Sequence, residues 1–262
     1  MPSLLKIFVF SVFGLLAVPG WGQTAQERGL EIIVEADRRD TGFGDLSVEM
    51  GMLLRNAQGE ESARYMRNRI MEVEGDGDKS MIVFDRPRDV KGTALLTFTH
   101  KSGPDDQWLY LPALKRVKRI ASRNKSGPFM GSEFAYEDLT SQEVEKYTYR
   151  FVEETELDGV PMFLVERDPV DKYSGYTRQL LWLHKAEYRP EKIEFYDRKN
   201  ALLKTLVFRD YQQYLGQFWR ASEMYMENHQ TGKSTILTWK NYVFRNGFTD
   251  ADFNKNALKR MK

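Results

Sequence analysis

The chain of 262 residues contains no cysteine, which removes thiolate catalysis, thiolate metal sites, disulfide staples and any cysteine-borne lipid anchor together. Histidine is nearly as scarce. His100, His184 and His229 stand far apart, with no HxxxH or HExxH spacing to hold a metal. No serine sits in a GxSxG elbow. Neither sign of charge dominates: 39 Lys+Arg face 38 Asp+Glu, so no general basic footprint for nucleic acid exists. Glycine (19) and proline (9) are too few for a collagen-like or low-complexity chain. Beyond the first 22 residues no apolar run is long enough to span a bilayer.

What is present is a core. Aromatics reach 13% of residues and the apolar set 41%, enough for one large domain. At the N-terminus Lys6 precedes a 12-residue apolar run, Ile7 to Val18, which Pro19 ends before Gly20 and Gly22. Twelve residues fall short of the roughly 20 that a transmembrane helix needs. The expectation is a cleaved secretory signal over residues 1–22, a single domain over 23–262, and a soluble exported protein.

Thr24 and Glu27 have capping-box spacing, and Leu30, Ile33 and Val34 fall on one face of the helix that follows, which should stop in the Thr41 to Gly44 loop. Thereafter alternation with period two takes over. In LSVEMGMLLR, Val48, Met50, Met52 and Leu54 share one face. Similar segments recur through STILTWKNYVF near the C-terminus, separated by turn signals such as Gly75-Asp76-Gly77-Asp78, Asp158-Gly159 and Thr231-Gly232. The expected fold is mainly β: about a dozen strands in an antiparallel meander, curved to cover its own apolar face.

Residues Ser122 to Gln142 interrupt the meander with Gly127-Pro128 and Gly131, followed by Phe134, Tyr136 and Leu139. This is either a lid with a short helix or a passive excursion over the core. Just before and within it, Lys115, Arg116, Lys118, Arg119, Arg123 and Lys125 form a dense basic stretch. It suits headgroup or partner docking, or else a charged strand edge that discourages pairing. Gly232-Lys233-Ser234 lacks the glycine of a P-loop five positions earlier, where Glu227 stands, and Gly75 to Asp78 lacks the spaced ligands of a calcium loop. No catalytic residue, metal or cofactor emerges.

The runs DQWLYLPALKRVKRIASRNKSGPFMGSEFAYEDL (106–139) and LLWLHKAEYRPEKIEFYDRKNALLKTLVFRDY (180–211) resemble the LolA-like outer-membrane lipoprotein-sorting proteins, in the branch often encoded beside exporters of the resistance-nodulation-division class. The likeness extends over nearly all of 23–262. It implies a half-open antiparallel β-barrel of about 11–13 strands, helices over the open side, and an apolar cavity for acyl chains, with no catalytic residue. It also implies a periplasmic carrier of lipid or lipoprotein acyl chains, transient membrane contact, and an exporter of that class as partner. A lipid-sensing adaptor of the same shape is the alternative, and a secreted hydrolase a third.

Strand parity then nominates the cavity lining: Val48, Met50, Met52, Leu54, Leu96, Phe98, Ile193, Phe195, Met224 and Met226. Paired methionines suit either variable apolar cargo or an ordinary methionine-rich core. Phe129, Met130, Phe134, Tyr136 and Leu139 are the expected lid residues. For Trp108/Tyr110 against Leu109/Leu111, either pair can face inward, because both faces of that strand are apolar.

Overall fold

A computed structural model describes residues 22–258. The expected signal segment, Gly22 excepted, lies outside the described residues. The first element, α1 (Ala25–Asp40), opens on the capping box read from the sequence: Glu27 N–H donates to Thr24 Oγ1 at 3.1 Å, and Thr24 N–H donates back to Glu27 Oε2 at 2.8 Å. Its buried face is rotated from the one expected. Gly29, Ile32 and Ile33 are buried, whereas Leu30 and Val34 remain 45% and 47% exposed. The cause is Gly29, whose missing side chain lets the helix lie directly against the backbone of Arg150 and Phe151.

Thirteen strands follow: β1 (Asp45–Arg55), β2 (Glu61–Met71), β3 (Lys79–Arg86), β4 (Ala94–Phe98), β5 (Asp106–Leu111), β6 (Arg116–Ile120), β7 (Tyr147–Leu157), β8 (Val160–Pro169), β9 (Tyr176–His184), β10 (Pro190–Asp197), β11 (Leu202–Tyr214), β12 (Phe218–Asn228) and β13 (Lys233–Phe244). They form one sheet in the order β6-β5-β4-β3-β2-β1-β13-β12-β11-β10-β9-β8-β7. Each half is a run of hairpins, and the halves join where β1 pairs with β13. The sheet is open, with β6 and β7 as its two edges.

One apolar cluster gathers Met50, Phe84 and Leu109 from one half with Val165, Phe195 and Leu237 from the other, which requires the sheet to curl around a common interior. Bulges between Ser47 and Glu49 and between Phe151 and Glu153 bend the strands. A smaller cluster on the opposite face contains Met81, Leu96 and Trp108 beneath Phe253 and Leu258, the latter in the short helix α2 (Lys255–Leu258). Asp45 fixes the approach to that segment. Burial would raise its carboxyl, but hydrogen bonds from Asn246, Gly247 and Phe248 hold it below the usual aspartate range. Among the described residues no helix is long and apolar enough to cross a membrane.

Candidate functional site

Among the described residues the only long connection between strands neighbouring in sequence runs from β6 to β7, from one edge of the sheet to the other, so residues 121–146 must cross the mouth of the curl. The crossover holds a series of short 3-10 turns, where the sequence reading expected a short helix. Phe129 is fully buried and Phe134 is 3% exposed, and Met130, Tyr136 and Leu139 pack against the same interior cluster. Phe129 lies 5.7 Å from Phe84 and 5.6 Å from Tyr136 between ring centroids. The crossover is a plug made of the chain's own aromatics, of which Phe129 and Phe134 each contribute about 1.5–3 kcal/mol through full burial.

Polar contacts hold the plug down. Lys204 Nζ donates to Asp138 Oδ2 at 2.6 Å and to the Glu133 carbonyl at 2.8 Å. Tyr176 donates its hydroxyl to Asp138 Oδ1 at 2.8 Å, and Asn228 Nδ2 donates to Glu133 Oε2 at 2.6 Å. Glu133 N–H donates to Thr235 Oγ1 at 3.0 Å, Gln107 Nε2 to the Tyr136 carbonyl at 2.9 Å, and Arg64 to the Met130 carbonyl. Burial, followed by the carboxylates of Asp138 and Glu137, pushes the Tyr176 phenol well above its ordinary range.

Beneath the plug the inner face is banded. Tyr149, Arg167, Gln179, Phe195, Lys204 and Asn228 are successive register partners across β7 to β12, a row that is mostly polar. Two residues further along lies an apolar row of Phe151, Val165, Leu181, Ile193, Leu206 and Met226. At the far end of β12 and the β9–β10 turn sits the C-terminal turn of α1, where Arg39 donates to the Ala186 carbonyl and Arg220 pairs with Asp40. Among the described residues two buried polar atoms, Asn68 Oδ1 and Trp239 Nε1, have no hydrogen-bond partner.

Of the expected lining, Val48, Met50, Met52, Ile193, Phe195 and Met226 are buried in the plugged cluster, with Leu54 and Met224 packed against it. Leu96 and Phe98 are not there. They belong to the cluster on the opposite face, and Phe98 also lines a shallow depression beside Phe253 and Lys255. The strand ALLTF is apolar on both sides because both are covered, so alternation could not choose between them. On β5, Leu109 faces the plug and Trp108 the outer cluster.

Lys115, Arg116, Lys118, Arg119 and Arg123 are exposed along edge β6 and its flanks, Arg119 paired with Asp106. Lys125 instead is half-buried and ion-paired with Asp171 at 2.7 Å. The three histidines stay apart: His100 meets Asp76 at 2.8 Å and holds that carboxyl down to about 2, His184 accepts from Glu187 N–H, and His229 meets Thr205.

Asp78 lies against the C-terminal end of the crossover. Burial, then the carboxylates of Glu143 and Glu72, raises its pKa to about 7. The folded protein keeps a proton there that the unfolded chain has already released, so this contribution to stability is complete near pH 4 and is lost as pH rises toward 7. Asp78→Asn is expected to match the parent near pH 4 and exceed its unfolding free energy by about 2–4 kcal/mol at pH 8, as read by urea titration. Parallel pH profiles for the two proteins would refute this.

A family model described as that of an uncharacterized protein matches residues 76–260. No curated protein matches. Among solved structures, the chain is similar to a candidate outer membrane lipoprotein-sorting protein domain from Vibrio parahaemolyticus, at 60% identity and TM-score 0.88, covering 90% of this chain and 100% of that one. A DUF1329 family protein from Desulfovibrio piger is 31% identical with TM-score 0.85, covering 90% of this chain and 99% of the other. A LolA superfamily protein from Nitrosomonas europaea, 21% identical with TM-score 0.71 over 89% and 99% of the two chains, shares the fold. With 90% of its length matched at 60% identity, the chain belongs to the family of outer membrane lipoprotein-sorting proteins, and its fold is LolA-like.

Proposed function

We propose that the protein is a non-catalytic periplasmic carrier, exported by a signal cleaved near Gly22, that shelters acyl chains of a lipid or lipoprotein and delivers them toward the outer membrane. The observation that carries this reading is the crossover: a plug of aromatic side chains over apolar rows of sheet, fastened by polar contacts that can be exchanged. A hydrocarbon guest would take the place of Phe129 and Phe134. The physical need is large, since a sixteen-carbon chain exposed to water costs on the order of 12 kcal/mol at about 0.8 kcal/mol per CH₂. A soluble shelter removes that barrier without nucleotide or acid–base chemistry.

The test is mass spectrometry of gently purified protein, followed by transfer of the bound lipid between two vesicle populations. Co-purified lipid with protein-dependent transfer supports a carrier; binding without transfer would favour a sensor, and neither would end the reading.

The exposed cations of edge β6 supply the docking surface in this reading. Charge reversal at Lys115, Arg116 and Lys118 is expected to slow delivery to anionic vesicles about tenfold at low salt, with the loss shrinking at high salt and bound lipid unchanged. Equal loss of binding and delivery would refute that separation.

A further inference from the structure

Lys204 is 3% exposed, and the charge on its side chain faces Asp138, which is itself 7% exposed at its side chain. Both the carboxylate and the Glu133 groups that neighbour it belong to the plug, while Lys204, Asn228, Tyr176 and Thr235 belong to the sheet or its margin. When the crossover lifts, its carboxylates leave and the cation stays. A lysine left among Phe195, Tyr176 and Leu206 without an anion is costly, so an empty open state is disfavoured.

Three strands away in the same row, Arg167 is 6% exposed, and its hydrogen-bond partners are neutral: Gln179 Oε1 at 2.8 Å and Gln142 Oε1 at 2.9 Å. Gln142 also lies in the crossover. The row therefore holds two buried cations at the border of an apolar surface, and lifting the plug would uncover both. That is the arrangement an amphiphile matches, with its head on the row and its tail along Ile193, Leu206 and Met226.

We propose that Lys204, with Asn228 beside it and Arg167 further along the row, recognises an anionic head on the acyl cargo, a carboxylate or a phosphate, and that Asp138 and Glu133 occupy that place in the closed protein. The plug thus imitates the cargo twice, by aromatic rings for the tail and by carboxylates for the head. This rests on the carrier reading and narrows it to anionic amphiphiles.

The experiment is displacement of the neutral fluorophore N-phenylnaphthylamine from the full mature chain by four competitors: palmitate, hexadecanol, monopalmitoyl phosphatidic acid and monopalmitoylglycerol. Each acid is expected to compete at least about tenfold better than its neutral counterpart, and the two pairs separate a carboxylate from a phosphate preference. Lys204→Met should reduce the preference to within about twofold while hexadecanol still competes. Asp138→Asn, which weakens the latch and keeps the cation, should strengthen the acids more than the alcohols and covers the case in which Lys204→Met fails to fold. Equal competition by acids and neutrals, or a preference that survives Lys204→Met, would overturn the anionic head and leave the carrier standing. Failure of all four to compete would end both.

Discussion

Phe129→Ala is expected to lower the unfolding free energy by about 3–5 kcal/mol and, at the same time, to raise the affinity for a neutral acyl fluorophore at least about tenfold. The first effect follows from removing a fully buried ring that touches Phe84 and Tyr136. The second separates a plug from an ordinary core residue. If the crossover undocks as a unit, loss of its anchor shifts the open population, and the same free energy that stability loses reappears as easier entry for a guest. Leu237→Ala, in the sheet itself, supplies the comparison: it is 1% exposed in the same cluster and should lower stability without opening the mouth. Calorimetry together with fluorescence titration on both variants checks the pair. If Phe129→Ala is merely less stable and takes up no more fluorophore, residues 121–146 are a fixed part of the core.

The second large effect concerns α1. A Cβ built at Gly29 lies 2.6 Å from the Phe151 nitrogen and 2.8 Å from the Arg150 carbonyl carbon, backbone atoms of β7 that cannot swing aside. Alanine in a helix is worth about 1 kcal/mol over glycine, but this clash outweighs it. We expect Gly29→Ala to lose about 2–3 kcal/mol and Gly29→Val more, with α1 becoming open to proteolysis before the sheet unfolds. Leu30→Ala, at a position 45% exposed, should change stability by no more than about 0.5 kcal/mol. A Gly29→Ala protein as stable as the parent would show that helix and strand can separate freely, contrary to the contact described here.

The antiparallel sheet was legible wherever one face was wet. β1 is the clearest instance: Val48, Met50, Met52 and Leu54 alternate with Ser47, Glu49 and Gly51, and all four point under the plug. β4 was illegible because the C-terminal segment covers its second face, information carried some 150 residues away at Phe253 and Leu258. The polar row was missed for a different reason. A lysine, glutamine or arginine taken alone on a strand is ordinarily solvated, yet each of these continues the apolar parity of its own strand: Lys204 with Leu206 and Phe208, Gln179 with Leu181 and Leu183, Arg167 with Phe163 and Val165. A charge in phase with the core side was the available signal. The α1 face was misjudged because glycine scores as neither inside nor outside, although here it marks the closest approach.

Pairing of β1 with β13 joins residues such as Glu49 and Lys240, so one seam spans almost the whole polypeptide. Strands β1 to β6 leave the ribosome long before β13 does, and until then β1 offers a bare, unsatisfied flank. Assembly of this sheet therefore waits on its final strand, and the slow, vulnerable interval falls between the two. A truncation that removes residues 233–244 would strand the N-terminal half as a sticky hairpin array, prone to pair with its own copies.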